Sequence, residues 1–195
     1  MSEPTYPREE VEQAFRHYFM TGPVLEDWIA WSQLFTDGAT YNDHYWGTFH
    51  GPAEIQRFLE GTMSYASFVY SPLIWYNIDG SQVVYKVINR ADNPESGGSP
   101  FECPSLQVIQ YAGNGKWASE DDWWTTREMR LLGTDWVAAL SKFPEADPLS
   151  RADWGDWVDW ARPPAGHVAK PSWVGRDIPG IARLADITFG DRHRR

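Results

Sequence analysis

The chain has 195 residues, enough for one core of ordinary size and an appendage rather than two full domains. Its 42% hydrophobic and 23% charged residues are globular values, but 12 Trp, 9 Tyr and 9 Phe form an excess that suits a pocket or an interface. The net charge of −10 arises within residues 1–143, which hold 19 acidic and 9 basic side chains against 8 of each afterwards, so the surface repels phosphate backbones and anionic lipid, and neither nucleic acid nor membrane is an expected partner.

Pro7 is a good first helical residue, and Val11, Ala14, Phe15, Tyr18 and Phe19 recur behind it at helical spacing until Gly22-Pro23. A second helix is predicted from Leu25 to Phe35, with Trp28, Trp31, Leu34 and Phe35 on one stripe, stopping at the Asp37-Gly38 turn. Ala39 to Trp46 alternates as a strand, with Tyr41, Asp43 and Tyr45 on one side and Asn42, His44 and Trp46 on the other. The loop from Gly47 to Gly51 leads to Pro52, which opens a third helix carrying Ile55, Phe58 and Leu59.

The period then changes to two. Ser67–Ile78, Ser81–Asp92, Phe101–Tyr111 and Lys116–Met129 read as four long strands of an antiparallel meander, joined by Asp79-Gly80, a Gly/Ser/Pro loop and Gly113-Asn114-Gly115. Leu131 to Phe143 reads as one more helix. Residues 1–143 are thus predicted to form one α+β domain, a curved sheet wrapped over three N-terminal helices with a cavity at its open end. Residues 144–195 form an irregular extension, in which Trp154, Trp157 and Trp160 recur every three residues as one helical edge would, packing on the core or on a partner subunit.

Cys103 is the single cysteine, which excludes an internal disulfide and a thiolate metal cage. Preceding Pro104 in an apolar strand, it reads as a buried structural thiol. His17 and His50 have no partner at metal spacing, and no metal or other cofactor is expected. The first residues lack an apolar leader stretch and no run approaches the length of a membrane span, so a cytoplasmic location is expected.

Carboxylates inside apolar strands are the residues to question, because burying them unpaired costs desolvation energy. Three places stand out: Asp43 beside Tyr41; Arg90-Ala91-Asp92, where period two puts both charges on one face with Ile88; and Glu120 and Asp122, which share a face with Trp124. If Asp92 and Asp122 face one cavity, Arg90 bridges them and makes their proton affinities differ, giving one acid and one base. The bland alternative for Arg90 and Asp92 is a turn with a surface ion pair.

The stretch from Leu34 to Asp43, followed by Phe49-His50-Gly51-Pro52-Ala53-Glu54-Ile55, resembles the SnoaL-like branch of the nuclear-transport-factor-2-like superfamily, over about Tyr6 to Leu132. That resemblance implies the cone-shaped α+β barrel of cystatin-like type. Arg90-Ala91-Asp92, Asp122-Trp123-Trp124 and Tyr41-Asn42-Asp43 are similar to the site segments of limonene-epoxide-hydrolase-like proteins, with Asp43 in place of their amide. This implies that Asp122, helped by Tyr41, activates water, that Arg90 bridges, and that Asp92 protonates the epoxide oxygen. Ala39 to Asp43 also resembles the segment that holds the proton-shuttling Asp of ketosteroid isomerases; Tyr18 then falls near their oxyanion Tyr and Gln107 at their oxyanion Asp. SnoaL-like cyclases point again to Asp122. The expected site is therefore Asp122, Asp92, Arg90, Asp43 and Tyr41, with Tyr18, Trp31, Gln107, Glu120 and Trp124 contacting a small apolar molecule of terpenoid, steroid or polyketide class. Epoxide hydrolysis is the leading reaction, isomerase or cyclase chemistry the alternative, and a non-catalytic ligand-binding protein the third. A homodimer is expected.

Overall fold

The computed structural model describes residues 5–168 and 170–178; Arg192 to Arg195, the basic cluster, lie outside them. Helix α1 (Arg8–Phe19) follows Pro7, carries Glu9 and Glu10 at its positive end, and buries Val11, Phe15, Tyr18 and Phe19. It passes into a π-helical turn, Met20–Val24, that contains Pro23. Helix α2 (Trp28–Ser32) is capped by Asp27, whose carboxylate accepts from the Ala30 amide at 2.9 Å. Strand β1 (Phe35–Asp43), strand β2 (Gly47–His50) and helix α3 (Gly51–Tyr65) follow, and Leu73–Asp79, Gln82–Ala91, Phe101–Gly113 and Lys116–Trp124 form β3 to β6. Helix α4 (Thr126–Leu140) begins at the Thr125 cap.

The six strands make one curved sheet in the order β2-β1-β6-β5-β4-β3, antiparallel throughout except that β1 and β6 run parallel. The first helices lie against its concave side: Phe15 meets Tyr85 at 5.2 Å between ring centroids, and Tyr18 meets Trp117 at 5.5 Å. Each such ring removed from water contributes about 2–3 kcal/mol. This is the expected α+β cone.

Three local expectations are corrected. The second helix ends at Ser32, because Leu34 and Phe35 enter the sheet: the Trp117 amide donates to the Leu34 carbonyl at 2.8 Å. Asp37-Gly38 lies within β1, at a register shift between Phe35 and Thr40, and the predicted Gly47–Gly51 loop is mostly β2. The Trp-rich stretch is not helical: among the described residues beyond Leu140 there is no helix or strand. Its tryptophans reach different partners, Trp154 against Tyr70 at 5.2 Å, Trp157 under the Arg90 guanidinium at 5.3 Å and Trp160 against Phe15 at 5.8 Å.

Gly22 sets how closely the π-helical turn approaches α2. A Cβ there would lie 2.4 Å from the Trp31 indole, which is itself hemmed by Tyr18 at 5.0 Å and Phe35 at 4.9 Å. The ring has nowhere to retreat. Gly22→Ala is therefore expected to cost about 2–3 kcal/mol, read as a lower urea midpoint with an unchanged slope.

Candidate active site

Alternation along β6 turns Glu120 and Asp122 inward, and the antiparallel partner β5 presents Ser105 and Gln107 from the other side, Gln107 directly opposite Asp122. On β1, Tyr41 stands beside Glu120 and Asp43 beside Asp122 in parallel register. With α1, α2, α3 and β4 these strands enclose a cavity of about 100 Å³, walled by Tyr18, Trp31, Tyr41, Tyr85, Gln107, Glu120 and Asp122 and lined also by Leu59, Met63 and Tyr70.

Asp122 is half-buried and held by three donors. Its Oδ1 accepts from Ser105 Oγ at 2.9 Å and from Gln107 Nε2 at 3.0 Å, and its Oδ2 from the Tyr41 hydroxyl at 3.1 Å. The Gln107 amide also donates to the Ser105 hydroxyl, which leaves the hydroxyl proton free to point at Asp122. Burial, reinforced by the neighbouring Asp43 charge, pushes the Asp122 carboxyl up to about 7, against the pull of the three donors.

Glu120 is 3% exposed and sits in a triangle of hydroxyls. Tyr18 donates to its Oε2, Tyr85 donates to its Oε1 at 3.2 Å, and the two tyrosine oxygens are 3.1 Å apart. Burial holds the Glu120 carboxyl well above the usual range, with the Asp122 charge adding to the effect. The hydroxyls of Tyr18, Tyr41 and Tyr85 are likewise pushed upward by burial and by the carboxylates around them, so they remain protonated donors.

Asp43 is buried behind this wall and does not line the cavity. Its Oδ1 accepts from the amides of Tyr45 and Trp46, both at 2.7 Å, and its Oδ2 from Trp124 Nε1 at 3.0 Å. Trp124 is thereby turned to Asp43 and is not a lining residue. Asp43 raises Asp122 electrostatically while staying out of reach of a ligand in the cavity.

Arg90 and Asp92 are not brought to the cavity, and Arg90 does not lie between Asp92 and Asp122. Tyr85, Val87 and Asn89 are the β4 positions that line it, so Arg90 falls half a period out of phase, opposite Glu102. Its guanidinium pairs with Glu102 through Nε at 2.8 Å and with Asp153 at 2.7 Å. Asp92 accepts from the Tyr70 hydroxyl at 2.5 Å, Ser150 Oγ at 2.6 Å and the Ala152 amide at 2.7 Å. Both residues fasten the C-terminal segment to the end of β4. Arg90→Met is accordingly expected to lower stability by about 1–3 kcal/mol in urea unfolding.

Tyr85 and Glu26, which line the cavity, and Ser105, which holds Asp122, escape the sequence reading. Ser105 and Tyr85 carry a signal, since period two on β5 and β4 aligns them with Gln107 and Val87. Glu26 carries none, as its partner Arg151 is 125 positions away. Cys103 is buried, and burial pushes its thiol up to about 11, as suits a structural cysteine. Among the described residues no group of three or more His, Cys, Asp or Glu is placed to hold a metal ion, and no helix is long and apolar enough to cross a membrane.

No family model matches the chain, and no curated protein matches it in sequence. Solved structures do share its fold. An LEH-like epoxide hydrolase from M. tuberculosis aligns with a TM-score of 0.53 at 15% identity, covering 69% of this chain and 96% of that one. A SnoaL-like polyketide cyclase from Jannaschia sp. CCS1 gives 0.52 at 14%, covering 67% and 96%, and a nuclear-transport-factor-2-like protein of unknown function from Burkholderia pseudomallei gives 0.53 at 16%, covering 63% and 96%. The fold is that of the nuclear-transport-factor-2-like and SnoaL-like proteins, and about a third of this chain lies outside each alignment.

Proposed function

We propose that this cone-fold chain is an acid–base enzyme acting on a small carbonyl compound, in which Asp122 takes a proton from carbon and returns it elsewhere on the same molecule, as an isomerase or cyclase does. One observation carries the reading: a carboxylate on the cavity wall, held in position by Tyr41, Ser105 and Gln107, faces the same space as the Glu120, Tyr18 and Tyr85 triangle. In the first step the C–H electron pair moves into a new C=C bond and the carbonyl oxygen becomes an enolate. The Tyr18 and Tyr85 hydroxyls, which donate to Glu120 in the free site, turn to that oxygen as its charge develops. Protonated Asp122 then gives its proton back at a second carbon.

Epoxide hydrolysis has less support. Asp122 and Tyr41 retain the water-activating position that the family resemblance implies, but the acid for the departing oxygen was to be Asp92, and Asp92 and Arg90 are both occupied by the C-terminal segment. The test is to incubate the protein with cyclohex-3-en-1-one in D₂O, following conversion to cyclohex-2-en-1-one and deuterium uptake by NMR, and in parallel with cyclohexene oxide. Isomerisation that disappears in Asp122→Asn supports the proposal. Opening of the epoxide that needs Arg90 replaces it with the hydrolase reading, and turnover of neither compound leaves a binding protein.

The homodimer expectation gains support from the outer face of the sheet, where exposed Trp75, Leu106 and Trp123 lie in one cross-strand row interrupted by Lys86. Light scattering at micromolar concentration is expected to report twice the 22.4 kDa chain mass; the single mass would exclude it.

A further inference from the structure

The cavity contains a second carboxyl for which the proton-transfer reading has no task. Glu26 lines it and is 2% exposed. Its Oε1 is paired with Arg151 at 3.0 Å, whereas its Oε2 is buried and has no partner among the described residues. Its backbone stands at φ +56°, a left-handed conformation that a glutamate rarely adopts. Here the backbone is held locally, the Glu26 amide donating to the Gly22 carbonyl at 2.7 Å and the Asp27 amide to that of Thr21 at 3.0 Å as the π-helical turn closes. The C-terminal segment fixes the side chain and carbonyl: Arg151 grips the carboxylate and the Ser172 amide donates to the Glu26 carbonyl at 2.9 Å.

Gln107 presents a second acceptor. Its amide protons go to Asp122 and Ser105, and its Oε1 is buried and has no partner among the described residues. Both oxygens are already desolvated and unpaired in the free protein, so a ligand that donates to one of them gains a hydrogen bond that a wholly apolar ligand does not. A ligand with a hydroxyl satisfies one of them. Because Arg151 already balances the Glu26 charge, a neutral hydroxyl fits better than an ammonium group, which would set two cations against one carboxylate. Size narrows the class further: the cavity of about 100 Å³ is smaller than the roughly 150 Å³ apolar cavity that takes benzene, which favours one small ring over fused ring systems such as steroids.

We propose that Glu26 is a specificity-determining residue of this cavity, and that the ligand is a hydroxylated carbonyl compound no larger than one six-membered ring, its hydroxyl donating to Glu26 Oε2. Only the carbonyl in that description rests on the proton-transfer reading; the hydroxyl and the size rest on the cavity itself. The C-terminal segment is then part of the site, as the element that holds Glu26 in place.

The experiment is an NMR titration of the full-length protein with 4-hydroxycyclohexanone, cyclohexanone, 4-aminocyclohexanone and 2-decalone. The hydroxyketone is expected to bind about tenfold more tightly than cyclohexanone, with the amine and the bicyclic ketone weaker than the hydroxyketone. Glu26→Met/Arg151→Met, which removes both partners of the pair together, is expected to reduce that preference to less than about twofold, a level at which no hydrogen bond is left to explain it. Should the double variant fail to fold, the wild-type comparison decides alone. Equal affinity for the hydroxylated and unsubstituted ketones, no binding of either, or tighter binding of the amine or of the bicyclic ketone overturns the proposal. Asp122→Asn is expected to keep the hydroxyl preference while losing deuterium uptake, so a hydroxyl preference without any exchange in the wild type would sink the proton-transfer reading and leave this one standing.

Discussion

Asp122→Asn is expected to lower kcat for proton transfer by at least about 10²-fold and, at the same time, to raise the melting temperature at pH 8. Both effects follow from one cause. The carboxyl is pushed up to about 7 by burial and by Asp43, so the wild-type rate should rise as pH climbs toward 7, where the base form becomes populated, and level off above it. In the unfolded chain the same group ionises near 3.9. Below that pH both states hold the proton, and above 7 neither does. Between the two, the folded state keeps a proton that the unfolded state has released, so stability falls as pH rises through this window and stays lower beyond it.

An amide at position 122 does not titrate and escapes that loss. At pH 8 the variant should therefore melt about 5 °C higher than the wild type, a few kcal/mol for a chain of this size, and at pH 4 the two should agree within a degree or so, the scale of a surface change. Scanning calorimetry at the two pH values, together with a pH–rate profile for enone isomerisation, makes the check. A rate that is flat from pH 5 to 9, or a variant destabilised equally at both pH values, would remove Asp122 from the chemistry.

Alternation along β6 groups Glu120 and Asp122 with Trp124 correctly, but both phases mix acids with tryptophan and each holds a buried residue, Trp117 in one and Glu120 in the other, so the inward turn of Asp122 came from the family resemblance and not from the period. Strand β4 gives no clearer signal. Val83-Val84 and Val87-Ile88 are apolar in both phases, so alternation groups Arg90 with Ile88 correctly but does not say which group faces the cavity. The answer comes from Tyr85, whose hydroxyl reaches Glu120, and that contact is 35 positions long. The motif resemblance around Arg90-Ala91-Asp92 therefore pointed to a role that the register of this sheet does not allow.

The helices and the meander were readable from period and punctuation, whereas β2 was too short to announce itself. The C-terminal segment was opaque for a different reason. A spacing of three between tryptophans suggests a helical edge, yet each ring answers to a partner far away in sequence: Tyr70 for Trp154, Arg90 for Trp157, Phe15 and Phe19 for Trp160. Local periodicity records only what neighbours in the chain do for each other. Rings that answer to distant partners leave no period to find.

Arg151→Met is expected to be the most destabilising single substitution in that segment. Arg151 and Glu26 are a buried pair, with side chains 6% and 3% exposed, and Arg151 also donates to the Ser67 carbonyl at 2.7 Å and to that of Leu149 at 2.8 Å. Removing the guanidinium leaves the Glu26 carboxyl in a dry wall without a counter-charge, a change that typically costs about 3–5 kcal/mol. The defect should depend on pH in a direction fixed by Glu26. Its carboxyl is already raised by burial, with Arg151 holding it down, so in the variant it rises further. Protonation relieves the unpaired charge, and the difference between wild type and variant should therefore be largest at pH 8 and shrink toward pH 5. Subtracting the two proteins at each pH cancels the contribution of Asp122, which both retain. Urea unfolding at pH 5 and pH 8 supplies the four midpoints required. A penalty of the same size at both would mean that Arg151 acts through packing and its carbonyl contacts alone, and that Glu26 is neutral in the native protein.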